Sequence, residues 1–259
     1  MNTSELCRFN RHGFIWLSII LISGCADNTP TETEPPPQEE PELELISTVN
    51  IHVDEPSGLC FSIDKQALWT VSDQTRKVYK VDFGGNVLET LAYTGNDLEG
   101  IAIDPGDSTL WVAEEYLSQI VQLDNLGNEL QRIDVTGAAG NSGLEGVTIN
   151  TSNGHFFLLK EQDPGVLIEL DGEFNLLTYK RINFAYDFSG IYYESHNQHL
   201  WIVSDQNEKV YKCDLTGSVL TEYPIDVDKA EGIAVDYENA RVYIVSDSYE
   251  KLYLYSIID

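Results

Sequence analysis

Two sets of five positions in this 259-residue chain carry the residue types that could do chemistry. Ser57, Glu99, Glu145, Ser189 and Glu231 each precede a glycine at the head of an apolar run, and Asp73, Glu115, Glu161, Asp205 and Asp247 each follow a second apolar run. Eight of the ten are carboxylates, which, when crowded together, either raise one another's pKa or recruit a cation. Oxygen-only donors with no His or Cys nearby suit a hard ion, calcium before magnesium. The plainer role for the same side chains is to accept hydrogen bonds from loop N–H groups, ordinary turn chemistry at a strand end. Glu114 is a ninth candidate, and Lys160 is the basic residue next to the second set. Glu99, Glu145, Glu115 and Glu161 belong to consecutive repeats, so their sector is the first place to expect a cation, with Glu231 and Asp247 as a second cluster.

These positions recur because the chain does. The glycines Gly58, Gly100, Gly146, Gly190 and Gly232 are 42, 46, 44 and 42 residues apart, a period that signals a propeller or a solenoid. PSGLCFSI, LEGIAIDP, LEGVTINT, FSGIYYES and AEGIAVDY open the units, and LWTVSD, LWVAEE, FFLLKE, LWIVSD and VYIVSD follow them. A third run such as RKVYKVD, a turn such as FGGN or NLGN, and a fourth run such as VLETLAY complete each unit. These are β-branched and aromatic runs of strand length bounded by turn residues, and four short strands per unit make a propeller blade. The fifth unit ends after its third strand, while LELISTVNIHVD from Leu43 aligns with the fourth strands. The expectation is an all-β, five-bladed β-propeller whose last blade is closed by the N-terminal strand, removing open sheet edges. In such an antiparallel meander the start of strand 1 and the end of strand 2 lie on one face, so both polar sets converge on one mouth of the axis.

Other candidates for chemistry fall away on the same repeat frame. Cys60 and Cys213 occupy apolar positions in blades that are not neighbours, which predicts two core thiols rather than a disulfide. His155, His196 and His199 lie in turns on the opposite face, so Ser–His or Cys–His nucleophilic chemistry lacks its base. Trp69, Trp111 and Trp201 share one repeat position with Phe157 and Tyr243, which predicts packing between blades rather than a sugar platform.

Residues 1–24 read as a secretory signal, because Arg8 and Arg11 precede the apolar run FIWLSIILIS, and the sequence LISGC resembles a lipobox that would lipidate Cys25. Ala26 after it favours an outer-membrane anchor facing the periplasm. Residues 25–42, rich in Pro, Thr and Glu, predict an extended tether, and residues 43–259 the propeller. The formal net charge is −28, and loss of the signal removes two arginines and one glutamate. A surface this acidic repels nucleic acid and attracts cations.

The LEGIA-type strand starts, the LWVAEE and LWIVSD second strands and the lipoprotein signal together resemble the SdiA-regulated, YjiK/CarP family of bacterial envelope β-propellers. The resemblance covers Glu55 to the C-terminus and implies a five-bladed, calcium-associated protein linked to calcium homeostasis and stress tolerance. Ser57, Ser189 and Lys160 break a five-fold metal ring. The leading expectation is a lipid-anchored envelope propeller that binds calcium at its acidic mouth and acts as a sensor, buffer or scaffold for an unidentified envelope protein or small ligand. The alternatives are a metal-dependent lactonase, esterase or phytase-like hydrolase and a metal-free interaction platform.

Overall fold

The computed structural model describes residues 41–135, 143–161 and 164–258. The segment read from sequence as a signal, Cys25 and most of the expected tether fall outside these residues. The described residues open with β1 (Glu42–Asn50), one residue ahead of the boundary expected from sequence. Blade 1 follows as β2 (Pro56–Phe61), β3 (Leu68–Ser72), β4 (Lys77–Val81) and β5 (Val87–Thr90). Blade 2 is β6 (Leu98–Ile103), β7 (Leu110–Glu114), β8 (Gln119–Leu123) and β9 (Glu129–Asp134). Blade 3 is β10 (Leu144–Asn150), β11 (His155–Lys160), β12 (Val166–Leu170) and β13 (Leu176–Arg181). Blade 4 is β14 (Gly190–Glu194), β15 (His199–Ser204), β16 (Lys209–Cys213) and β17 (Val219–Pro224). Blade 5 supplies only β18 (Ala230–Asp236), β19 (Arg241–Ser246) and β20 (Lys251–Ile258), and β1 pairs antiparallel with β20 to complete it. The fold is therefore the closed five-bladed propeller expected from the repeat.

Sequence explains the local structure. In the turn between the third and fourth strands of blades 1 to 4, an aspartate accepts two backbone N–H bonds with one oxygen. Asp82 takes Gly84 and Asn86, and Asp124 takes Leu126 and Asn128. Asp171 takes Glu173 and Asn175, and Asp214 takes Thr216 and Ser218. These Asx-type bonds satisfy loop donors that a bare turn would leave to water. Blade 5 has no such turn, because its third and fourth strands come from opposite ends of the chain.

The core lies between blades rather than within one sheet. Trp111, Ala113 and Ile120 of blade 2 pack with Leu144, Leu158 and Ile168 of blade 3. Trp111 meets Phe156 edge-on at 4.9 Å, and Tyr243 of blade 5 meets Phe61 of blade 1 at 5.5 Å. The aromatic position shared by the blades is thus architectural, as read from the repeat. Cys60 and Cys213 are free and buried, and burial raises both thiols, so neither is a thiolate nucleophile.

The first strands crowd the axis. A Cβ on Gly100 would stand 2.7 Å from the backbone N of Val147, and one on Gly58, whose φ is +27°, would stand 2.7 Å from the Glu99 carbonyl oxygen. Only glycine fits where backbones of adjacent blades touch this closely. The inner strands around these glycines leave no room for a water molecule, so the axis is pinched between its two mouths.

Candidate functional site

All eight carboxylates singled out in the sequence line one cavity of about 250 Å³ at one mouth: Asp73, Glu99, Glu115, Glu145, Glu161, Asp205, Glu231 and Asp247. Ser57 and Ser189 complete the two sets there. The β2–β3 hairpin and its four counterparts bring each pair of positions together, because antiparallel pairing places the residue before a strand beside the residue after its partner.

Within this mouth, one carboxylate oxygen from each of Glu115, Glu145 and Glu161 lies within 4.8 Å of the others. A second group with the same spacing is Asp73, Asp97 and Glu99. The expected sector thus holds three of its four members, while Glu99 turns toward Asp73 and Asp97. Glu231 and Asp247 interact, but they form no three-oxygen group among the described residues.

Burial and mutual repulsion disfavour ionisation here. Desolvation, with the charges of Glu99, Glu115 and Glu161, holds Glu145 well above the usual carboxylate range. Glu145 is only 7% exposed. Glu99 is likewise held high by desolvation and then by Glu231, partly offset by a hydrogen bond with Ser57. Desolvation and then Asp247 push Glu231 up to about 8. Asp73, Asp97 and Asp247 are also raised, each mainly by desolvation. Asp247 Oδ1 is buried without a hydrogen-bond partner.

Part of the second set also fastens blades. Glu115 Oε1 accepts the Gly143 N–H at 3.0 Å, and Asp205 Oδ1 accepts the Lys229 N–H at 2.7 Å, each across a blade boundary. Lys229 Nζ also pairs with Asp205 at 3.1 Å. Structural and cation-binding roles are compatible, since a carboxylate has two oxygens.

Glu114 does not join the mouth, and the expectation of a ninth carboxylate there is corrected. Its side chain is fully buried away from the axis, where Tyr93 donates to it at 2.8 Å, Asn96 N–H at 3.0 Å, and Arg132 pairs with it. Alternation along β7 sends Glu114 and Glu115 to different environments. Sequence reasoning also missed Asp97, Asp187 and Lys229, of which Asp187 and Lys229 line the mouth. Together with Glu55 and Gly143, these form a third recurring position, three residues before each glycine. No histidine lines the cavity among the described residues, and His196 lies at the opposite mouth, as expected.

These features define a five-bladed β-propeller with a carboxylate-lined axial mouth. The SdiA-regulated family profile matches residues 39–254, and the chain belongs to that family. Among solved structures, the chain is similar to a glutaminyl cyclase from Myxococcus xanthus, with a TM-score of 0.65 and 13% identity over 85% of this chain and 99% of that one. A gluconolactonase from Xanthomonas campestris gives 0.56 and 12% over 84% and 95%, and a nidogen/laminin complex gives 0.53 and 15% over 76% and 78%. At these identities the likeness is one of fold.

Proposed function

We propose that the protein binds a hard divalent cation, calcium in preference to magnesium, at the acidic mouth, with Glu115, Glu145 and Glu161 as the principal ligands. The observation that supports this reading is Glu145, a carboxylate nine-tenths buried, beside two others with oxygens within 4.8 Å. Calcium bonds of roughly 2.4 Å span about 4.8 Å between opposite ligands, so one ion fits the group. Binding would replace carboxylate repulsion with attraction, and the protons held by raised groups would leave. Asp73, Asp97 and Glu99 offer a second position. In this reading the protein is anchored through a lipid on Cys25 in the bacterial envelope, facing the periplasm from the outer membrane, and serves as a calcium sensor, buffer or scaffold.

Isothermal titration of chelator-treated protein with calcium tests the site. Saturable binding that weakens at least about tenfold in Glu145→Gln and in Glu161→Gln is expected. Equal affinity in wild type and both variants would remove the proposal. Mass analysis of the N-terminal peptide tests the anchor, with acyl mass on Cys25 expected and lost in Cys25→Ala.

A second reading, favoured by the open volume beside the carboxylates, is a metal-dependent hydrolase acting on a lactone or ester. There the cation would polarise the carbonyl, and Lys229 at the rim would face the developing negative charge. Phosphorylated substrates fit less well, because the mouth is overwhelmingly acidic. Calcium-dependent, chelator-sensitive turnover of gluconolactone or an aryl ester would establish it. Calcium-dependent stabilisation without turnover would favour the binder, and absence of both would favour a metal-free platform.

A further inference from the structure

The mouth opposite the carboxylates holds a second cavity, of about 190 Å³, separated from the first by the glycine constriction. Its chemistry differs sharply from that of the acidic mouth. Phe61, Ile103 and Ile149 contribute apolar surface, and Cys60, Ala102 and Thr148 keep the floor small. At the floor position of blade 4 the chain places Tyr192 instead, its ring edge-on to Phe61 at 6.2 Å and 82°. An enclosed apolar cavity of about 150 Å³ is enough for a benzene ring; this open mouth, lined also by Lys65, Glu194, His196 and Asp236, has the volume for a small organic molecule of that size with both an apolar body and a polar group.

Two residues that line this mouth each have a buried side-chain oxygen without a hydrogen bond, Tyr193 and Asp236. Asp236 ends β18 and its Oδ2 accepts the Asn239 Nδ2–H at 2.7 Å, yet its Oδ1 is buried with no hydrogen-bond partner. Lys65 Nζ approaches that oxygen only to 3.8 Å, from a side chain half exposed to solvent. A buried carboxylate oxygen whose sole partner is an ammonium too distant to donate a hydrogen bond is incompletely satisfied, and a ligand N–H would complete it. Aromatic faces nearby also favour a cation over an anion.

We propose that this cavity is a binding site for a small organic amine, whose ammonium group pairs with Asp236 and whose apolar body lies between Phe61, Tyr192 and Ile149. Lys65 competes for the same carboxylate and is displaced when the amine enters. The site is independent of the cation-binding mouth.

The test is calorimetric titration of the full chain with three probes of one shape: 2-phenylethylamine, 2-phenylethanol and phenylacetate. The amine should bind saturably and at least about tenfold more tightly than either isostere. Asp236→Asn should reduce amine affinity about tenfold, and Lys65→Gln, on an exposed turn, should raise it several-fold. Glu145→Gln should leave it unchanged. Tighter binding of phenylacetate would assign the site to Lys65 and overturn the proposal. So would equal binding of all three probes, no saturable amine binding, or a Lys65→Gln variant with unaltered or weakened amine affinity. The Lys65 variant keeps the test decisive even where Asp236→Asn compromises folding.

Discussion

At the scale of the residue, the mouth trades stability for the capacity to bind. Burial pushes Glu231 from an ordinary 4.5 up to about 8 in the folded state, and Glu99 and Glu145 are also raised. Between those values the native state holds protons that the unfolded chain has released, so stability falls as pH rises. Without a cation, the stability these groups contribute is fully present below about pH 4.5 and is lost as pH rises through their raised values, by about pH 8 for Glu231. Asp82, Asp124 and Asp171 run the other way. Hydrogen bonds, first from the Asn four residues on, hold their carboxyls low, and their contribution is lost as pH falls below the ordinary aspartate range. The urea midpoint in chelator should therefore be higher at pH 5.5 than at pH 8.5, and calcium should restore it at pH 8.5. A midpoint that rises from pH 5.5 to 8.5 in chelator would contradict this assignment. Calcium affinity should also increase over the same interval, with proton release measurable by titration in buffers of different ionisation enthalpy. The Glu–Gly signature made these carboxylates legible in sequence. Asp97, Asp187 and Lys229 were less so, because the third recurring position mixes acid, glycine and base.

At the scale of the element, two features hold the ring. The first is the approach of adjacent inner strands. Gly100→Ala should destabilise by roughly 2–3 kcal/mol, the cost of overpacking a rigid contact, because the Cβ meets the backbone of β10 rather than a flexible side chain. The second is the junction of blades 1 and 2, where Arg132 and Tyr93 serve the buried Glu114. Arg132→Met leaves that carboxyl without its cation and should cost about 2–4 kcal/mol, somewhat below the full penalty for breaking a buried pair because Arg132 is partly exposed. Chemical denaturation measures both, and Gln at 114 in the Arg132→Met background should recover part of the loss. From sequence, Glu115 belonged to the second recurring set and Glu114 was the ninth candidate beside it at the strand end. Their separation depended on which of them fell inside the last ladder pair of β7, where Glu114 faces Leu98.

At the scale of the whole molecule, ring closure and net charge act together. β1 pairs with β20 along eight positions and places Leu43 in the core shared by blades 4 and 5. Removing residues 1–50 would leave β20 as an open edge, so the truncated chain should aggregate or lose its cooperative unfolding transition, readable by light scattering and urea titration. The formal charge of −28 on one chain repels itself. Sodium chloride should raise the melting temperature by screening, and calcium at much lower ionic strength should raise it further if it occupies the mouth. Equal effects at equal ionic strength would reduce calcium to a screening ion. The sequence by itself determined the blade count, the four strands per blade, the closing strand and the convergence of eight carboxylates, because each follows from a period of 42 to 46 residues and from antiparallel pairing. Only the tertiary structure decided which carboxylate oxygens approach one another, which acid turns into the blade junction, and that a second, mixed cavity faces the other way. Those outcomes depend on side-chain direction and burial at the meeting of five blades, and a linear repeat carries no record of either.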